Sequence, residues 1–340
     1  MKPTFRAFQV LDRRTARART TAFIGLGRMG SEMAYNLFSK TLTERPESSF
    51  VVCDAVPESA VSFRRHFLSQ FSGAPVDVVQ TPEEAARAAE TIVTMLPSSP
   101  EVKAVYTESN GIMSALQSFT GNEREQTLLI DSTTLDVDVS RRVSSDVAHL
   151  GAQMVDAPVS GGVAGAKAGT LSFLVGGTSA SFQKALPVLT YMGKRVVHCG
   201  SSGAGLGAKI CNNLVLGVQQ IVVSEAMLLG QRLGLDPAVL AAVINCSTGA
   251  CWASSVNNPV PSSLPDQSPP CEKDFEGGFA TSLMLKDMHL ATDIADTHRS
   301  PLPLGEAARD MYAEVTRTHP ELAKKDFSSV YRYLEGLKLI

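Results

Sequence analysis

Short apolar runs alternate with longer amphipathic stretches along the first 200 residues of the chain. The apolar runs favour β-strands, and they cover 22–26, 50–54, 76–80, 91–96, 127–131, 153–158, 171–177 and 194–199. The stretches between them, such as 57–71, 82–90 and 136–149, have the spacing of apolar positions that is typical of helices. This alternation predicts an α/β domain with a mostly parallel sheet and helices on both faces.

The pattern changes after Cys199, where strand signals largely stop. Helical runs then cover 207–233, 236–247, 281–297 and 303–316, which predicts an all-helical domain beginning near Gly200. Residues 257–273 contain five prolines and therefore predict a long loop, because proline interrupts helices and central strands. We therefore expect an α/β domain over 21–200 and a helical domain over 201–340.

Residues 1–20 differ from the rest of the chain. They carry six basic side chains and a single acidic one, Asp12. Leaders that are rich in arginine and poor in acids resemble mitochondrial transit peptides. We predict that this segment directs the chain to the mitochondrial matrix; the alternative is a basic tail without a targeting role.

Composition excludes several classes of function. The 340 residues are 44% hydrophobic and 19% charged, which indicates a folded protein. A net charge of -3 gives no overall basic field for nucleic acid. The longest apolar run is broken by Gln219 and Gln220, and we expect no membrane span. The six cysteines lack C-x-x-C spacing and the histidines are scattered, so we expect free thiols and no metal site.

A glycine-rich turn follows the first predicted strand. It reads Gly25-Leu26-Gly27-Arg28-Met29-Gly30, which is G-x-G-x-x-G between a strand and a helix. In a Rossmann-type, doubly wound domain these glycines permit the turn, the approach of a pyrophosphate and close helix packing. Asp54 ends the second strand, where an acid binds the adenosine ribose of NAD and disfavours a 2′-phosphate. The sequence therefore predicts a site for NAD.

Two further strand ends lie where parallel sheets bind ligands. Leu96 and Pro97 follow the fourth strand, and Thr134 follows the fifth. We predict that Leu96 and Pro97 contact the adenosine half of NAD and that Thr134 lies towards the nicotinamide. Both segments could equally be ordinary strand-end turns.

One lysine lies in a long apolar segment of the helical half. Lys209 is the only charged residue between Leu206 and Glu225. Burial disfavours an ammonium group, and the resulting lower pKa makes a lysine usable as a general base. Asn213 is four residues further on, hence on the same helical face, where its amide can orient a substrate. The alternative is a lysine that extends its amine to solvent.

Three longer motifs accompany the glycine-rich turn in the same order as in a known family. They are DAPVSGGVAGAKAGTLSFLVGG (156–177), GLGAKICNN (205–213) and GGFATSLMLKD (277–287). With them the chain, from about Thr21 to Leu334, resembles the 3-hydroxyisobutyrate dehydrogenases of the β-hydroxyacid dehydrogenase superfamily. The resemblance implies NAD-dependent oxidation of 3-hydroxyisobutyrate to methylmalonate semialdehyde in valine breakdown. It also implies an active site in the cleft between the two domains.

The resemblance assigns roles to individual residues. Lys209 is the base and Asn213 a substrate contact, while Ser160, Gly161 and Gly162 form a loop whose hydroxyl and backbone N–H groups can hold the substrate carboxylate. Lys286 is expected to reach the cofactor or substrate, and Trp252 and Phe279 to form apolar walls beside the substrate and cofactor. We expect a homo-oligomer, either a dimer or a tetramer.

Two alternative functions stay open. The first is a related enzyme, such as a semialdehyde reductase or a 6-phosphogluconate dehydrogenase. The latter should offer several basic residues for a sugar phosphate, but Lys167 is the only one near 156–170. The second is a non-catalytic NAD-binding scaffold, which we would expect to have lost Lys209 and Asn213.

Overall fold

The computed structural model describes residues 17–337, which form two compact units. The first ends at Gly207 and the second begins at Ala208. The division therefore falls a few residues beyond the predicted boundary near Gly200, inside the first turns of a long helix.

The first unit is built on a nine-stranded sheet. Its strands are β1 (Thr20–Ile24), β2 (Ser49–Cys53), β3 (Val76–Val78), β4 (Thr91–Thr94), β5 (Leu128–Asp131), β6 (Gln153–Asp156), β7 (Val159–Ser160), β8 (Leu171–Gly176) and β9 (Gly193–Gly200). Its helices are α1 (Gly30–Glu44), α2 (Pro57–Gln70), α3 (Pro82–Ala88), α4 (Ser99–Thr107), α5 (Ile112–Ser118), α6 (Gly121–Gln126), α7 (Val137–His149), α8 (Gly162–Ala168) and α9 (Ser179–Thr190). The predicted Rossmann-type domain is confirmed.

The strand order explains where this unit can bind a ligand. The sheet runs β3-β2-β1-β4-β5-β6-β8-β7, and β9 pairs with β8. Strands β1 to β6 are parallel along this path, whereas β8 is antiparallel to β6 and β7. The chain order reverses between β1 and β4, and open sheets of this type bind ligands at the carboxyl ends of the strands beside such a reversal.

Local sequence explains how helices begin near this edge. Thr81 and Glu84 form a capping box at the start of α3, with Pro82 at the first helical position. The side chain of Asp136 accepts from the N–H of Val139 at 2.8 Å and begins α7. Both helices therefore begin where the sequence predicts them.

The second unit is helical. The long helix α10 (Ala204–Arg232) leads into it, and α11 (Pro237–Asn245), α12 (Trp252–Ser255), α13 (Thr281–His298), α14 (Pro303–Thr318) and α15 (Val330–Gly336) follow. Short 3-10 turns occupy Pro270–Lys273, Leu322–Lys324 and Phe327–Ser329. The predicted loop over 257–273 has no α-helix or strand, and its last residues form the first of these turns.

Helix α10 is longer than the broken apolar run predicted from the sequence. It has 29 residues and contains an 18-residue stretch with a mean hydropathy of 1.4, which is the length and composition of a membrane span. The core helix of a water-soluble domain meets the same two criteria. Gln220, which we expected to interrupt the run, is fully buried and donates a hydrogen bond to the carbonyl of Asn257 at 3.3 Å.

The predicted leader overlaps the folded domain. Residues 1–16 lie outside the described residues, but Arg17 is buried: its Nη2 donates to the Ala89 carbonyl at 2.8 Å and to Thr127 Oγ1 at 3.1 Å. The guanidinium also lies 4.2 Å from the centre of the Phe119 ring. Because Arg17 is buried and β1 begins at Thr20, the folded unit includes the last residues of the predicted leader.

All six cysteines are free thiols, as predicted. Cys53 ends β2 in the first unit and Cys271 lies in a 3-10 turn of the second, and both are buried. Burial raises the pKa of Cys53 to about 11 and that of Cys271 to about 12. These two side chains therefore behave as small apolar groups and not as nucleophiles.

Candidate active site

The glycine-rich turn has the geometry that a pyrophosphate requires. Gly25 has a φ of +94°, and a Cβ there would lie 2.3 Å from the Met95 carbonyl oxygen. At Gly30 a Cβ would lie 1.9 Å from the Gly25 oxygen, so this glycine lets α1 pack against the turn. At Gly27 a Cβ would meet nothing within 4 Å, which leaves an open space at the amino end of α1. The turn therefore fits a dinucleotide phosphate.

Asp54 is part of this turn. Its Oδ2 accepts from the N–H of Leu26 at 2.6 Å, and its Oδ1 accepts from the N–H of Val56 at 2.8 Å. The carboxylate is half-buried and each oxygen has a second lone pair. Asp54 can thus hold the turn and still accept from ribose hydroxyls. Sequence reasoning predicted the second role and missed the first.

The segments after β4 and β5 are joined to each other. The N–H of Leu96 donates to Thr133 Oγ1 at 2.9 Å, which fixes the segment containing Pro97 beside the segment containing Thr134. Asp131, at the end of β5, is fully buried and accepts from Thr94 Oγ1 at 2.8 Å. The predicted residues therefore lie on two strand ends that a hydrogen bond connects.

The Ser160-Gly161-Gly162 loop connects β7 to α8. Gly161 and Gly162 have φ values of +132° and +61°, a conformation that strongly favours glycine. The opposite end of α8 is capped from α1, because Asn36 Nδ2 donates to the carbonyls of Ala166 and Lys167 at 2.8 and 3.1 Å. The helix that begins with the predicted substrate loop is thus fixed to the helix that begins with the phosphate turn.

Asp156, at the end of β6, holds the start of α10. Its Oδ1 accepts from the N–H of Gly203 at 2.7 Å and its Oδ2 from the N–H of Leu206 at 3.0 Å. These bonds satisfy N–H groups that the first turn of a helix leaves without partners. Sequence reasoning did not single out Asp156, although it begins the DAPVSGG motif.

A buried polar cluster lies in the second unit. Lys209 and Asn213 are both buried on α10, and Asp287 is buried on α13. Asn213 Nδ2 donates to Asp287 Oδ2 at 2.6 Å, and Asn212 Nδ2 donates to Asn213 Oδ1 at 3.1 Å. The structure brings together the two predicted residues and an acid, Asp287, that the sequence analysis does not single out.

Burial determines the proton affinities in this cluster. Desolvation lowers the pKa of Lys209, while the charge of Asp287 opposes that shift and Lys286 adds to it. Desolvation raises the pKa of Asp287, against the charges of Lys209 and Lys286 and the hydrogen bond from Asn213. A lysine with a lowered pKa beside an oriented amide can accept a proton from a bound hydroxyl group.

The two predicted apolar wall residues lie against one aromatic ring. Trp252 stacks on Phe327 with ring centroids 6.5 Å apart, and Phe279 meets the same ring edge-on at 6.1 Å. Trp252 is half-exposed, so a large part of its ring is accessible. Asp326 accepts from the N–H of Phe279 at 2.7 Å and so fixes the loop that precedes α13.

Comparison with known proteins gives consistent matches over nearly the whole chain. Residues 20–200 match the NAD-binding domain of 6-phosphogluconate dehydrogenase, and residues 203–334 match the NAD-binding domain of NADP-dependent 3-hydroxyisobutyrate dehydrogenase. The chain is 39% identical to human mitochondrial 3-hydroxyisobutyrate dehydrogenase over 98% of its own length and 92% of that protein.

Bacterial proteins match equally well. The chain is 40% identical to a probable 3-hydroxyisobutyrate dehydrogenase of Mycobacterium bovis, covering 93% of this chain and 98% of that one. A solved structure of the Mycobacterium tuberculosis 3-hydroxyisobutyrate dehydrogenase with L-serine has a TM-score of 0.81 at 38% identity. It covers 94% of this chain and 100% of the bacterial one.

Proposed function

The chain belongs to the 3-hydroxyisobutyrate dehydrogenase family of NAD(P)-dependent oxidoreductases, and we propose that it oxidises 3-hydroxyisobutyrate to methylmalonate semialdehyde with NAD. We further propose that this step serves valine breakdown. The observation that carries the proposal is the buried cluster of Lys209, Asn213 and Asp287, which supplies a base of lowered proton affinity beside a fixed amide.

The oxidation needs a proton acceptor for the substrate hydroxyl. Lys209, in its neutral form, takes that proton on Nζ as the C–H bond gives up its hydride. NAD, when bound, supplies the hydride acceptor, held by the turn from Gly25 to Gly30 and by Asp54. Asn213 is kept in one orientation by Asp287 and positions the hydroxyl group. Asp287 compensates part of the positive charge that Lys209 gains.

The substrate carboxylate needs a separate anchor. We assign this role to the hydroxyl of Ser160 and the backbone N–H groups of Gly161 and Gly162. Both glycines have positive φ values, and backbone N–H groups in such turns can bind anions. Lys286 adds a positive charge close to Lys209 and can contact the cofactor or the carboxylate.

The direct test is turnover by the purified protein. With NAD present, 3-hydroxyisobutyrate should give NADH, and its kcat/KM should exceed those for glycerate, 4-hydroxybutyrate and 6-phosphogluconate by at least about tenfold. A higher value for one of the other acids would identify a related dehydrogenase. NAD binding without turnover of any acid would favour a scaffold.

We expect Asp54 to select NAD over NADP. Its carboxylate at the carboxyl end of β2 repels a 2′-phosphate and accepts from the ribose hydroxyls. Wild-type enzyme should show a kcat/KM for NAD at least about tenfold above that for NADP. Asp54 also holds the turn by accepting from the N–H of Leu26. The variant to compare with wild type is therefore Asp54→Asn, which keeps an oxygen acceptor for this N–H and removes the negative charge. The expectation fails if wild-type enzyme uses NADP as well as NAD.

We propose that residues 1–16, and not 1–20, address the chain to mitochondria. A chain beginning at Arg17 should remain in the cytosol and melt within about 2 °C of the full chain. A chain beginning at Thr21 should melt about 5–10 °C lower, because it loses Arg17 and the first residue of β1. Mitochondrial import of the chain that begins at Arg17 would contradict the targeting role.

We propose a homo-oligomer, a dimer or tetramer, that covers an apolar face of the helical unit. Val222 and Leu229 project from one side of α10, and Leu233 directly follows the helix. All three are at least half exposed, as are Val239 and Val243 of α11. Light scattering after gel filtration should show an oligomer that Leu229→Glu dissociates. Leu304→Glu, at an exposed position on α14, is the control. A wild-type monomer at all concentrations would refute this assembly.

A further inference from the structure

A buried network of hydrogen bonds lies at the carboxyl ends of β4 and β5, and its residues have no part in the proposed proton transfer. Asp131 is its centre. Its Oδ1 accepts from Thr94 Oγ1 at 2.8 Å and from the N–H of Thr133 at 3.1 Å. Thr94 Oγ1 in turn lies 3.1 Å from the hydroxyl oxygen of Tyr106. All four residues are buried.

The hydrogen bonds of this network have a defined donor order. An ionised carboxylate can only accept hydrogen bonds, so the hydroxyl group of Thr94 uses its one hydrogen to donate to Asp131. Tyr106 therefore donates to Thr94. Burial raises the pKa of Tyr106 well above its ordinary value, so its proton stays in place. Three elements, α4, β4 and β5, are thus joined through one carboxylate.

Burying the ionised carboxylate of Asp131 lowers the stability of the fold. Burial raises the pKa of Asp131 to about 6, with a smaller contribution from the charge of Asp156, its neighbour in register on β6, and against the hydrogen bonds from Thr133 and Thr94. Its Oδ2 has no hydrogen-bond partner among residues 17–337. Well-packed apolar residues in place of such buried polar groups are often as stable or more stable. Stability alone therefore gives no reason for an acid at this position.

The position of Asp131 suggests what it does. Thr133, which Asp131 holds through its N–H, accepts from the N–H of Leu96 through its Oγ1 at 2.9 Å. Asp131 thus fixes the segment after β5 directly and the segment after β4 through Thr94 and Thr133. These are the segments from which the sequence predicts cofactor contacts.

We propose that Asp131 is a positioning residue for the dinucleotide. It holds the segments 94–97 and 131–134 in one arrangement, so that the cofactor meets a preorganised edge of the sheet. Asp131 acts through Thr94 and Thr133 and not by its own contact. The inference rests on the proposed function, because it assumes that NAD binds at this edge.

The test measures NAD affinity by isothermal titration calorimetry together with the melting temperature. Asp131→Leu removes the acceptor and should raise the Kd for NAD about 10–100-fold, since two donors lose their partner. Asp131→Asn keeps an oxygen for both donors and should stay within about threefold. Leu129→Ala, in the same strand and fully buried, is the control for lost stability and should change the Kd by less than about twofold.

Three outcomes separate the possibilities. A folded Asp131→Leu protein that binds NAD within about twofold of wild type overturns the inference, as does an equal loss of affinity in Leu129→Ala. If Asp131→Leu does not fold, Thr94→Val removes the hydrogen bonds that Thr94 makes with Asp131 and Tyr106 at nearly constant shape and should raise the Kd about threefold or more. An unchanged Kd overturns the inference. Wild-type protein that does not bind NAD would refute the proposed function itself.

Discussion

Lys209→Ala should lower kcat by about 10²–10⁴-fold, the usual contribution of one general acid–base group. NAD affinity should stay within about twofold, because the phosphate turn and Asp54 belong to the first unit and Lys209 to the second. Lys209→Arg should restore little activity, since a guanidinium keeps its proton at any working pH. Steady-state kinetics beside NAD titration measures both quantities. Lys324→Ala removes an exposed lysine of the same unit and is the control.

The pH profile tests the same assignment without removing the base. Wild-type kcat should rise with pH as the ammonium of Lys209 loses its proton, with an apparent pKa below that of free lysine because burial lowers it. The charge of Asp287 raises the pKa of Lys209, so Asp287→Asn should move this rise to lower pH while keeping an acceptor for Asn213. A base elsewhere is indicated if Lys209→Ala keeps more than about a tenth of wild-type kcat, or if Asp287→Asn leaves the profile unmoved.

Gly27→Ala should raise the Kd for NAD by about 10–100-fold and leave the melting temperature within about 2 °C. A Cβ at this position meets no atom of the protein within 4 Å, so the fold tolerates it. The same Cβ occupies the space through which a pyrophosphate reaches the backbone. Gly27→Val should weaken binding further. Calorimetric titration and thermal melting of the same samples provide both measurements.

Two other glycines serve as controls for this prediction. Gly121→Ala also places a Cβ in open space, at the start of α6, and should change neither quantity. Gly30→Ala places its Cβ 1.9 Å from the Gly25 oxygen and should lower the melting temperature by about 5–10 °C. Unchanged NAD affinity in Gly27→Ala would show that the phosphate does not approach this glycine.

The sequence predicts those parts of the site that depend on neighbouring residues. The glycine-rich turn and Asp54 follow directly from strands whose apolar pattern is strong, and the structure joins them through Leu26. Lys209 and Asn213 are one helical turn apart, so their common face follows from spacing alone. The strands and the long helices differ from their predicted bounds by only a few residues.

Contacts between distant parts of the chain could not be predicted in this way. Asp287 meets Asn213 across 74 positions of sequence, and a Lys-Asp pair on a helix gives no sign that the acid faces inward. Arg17 looked like one more basic residue of a leader, whereas its partners Ala89 and Thr127 are 72 and 110 positions away. Burial of a charge is decided by such tertiary partners, and a single sequence does not contain their positions.

Each of the two units contains a buried thiol whose labelling can report the unfolding of that unit. Cys53 belongs to the first unit and Cys271 to the second, and neither presents a reactive thiolate while its surroundings stay closed. A thiol reagent added under native conditions will modify exposed Cys211 and Cys246 at once. The slower labelling of Cys53 and Cys271 then times local or global unfolding of each unit separately, without any introduced probe.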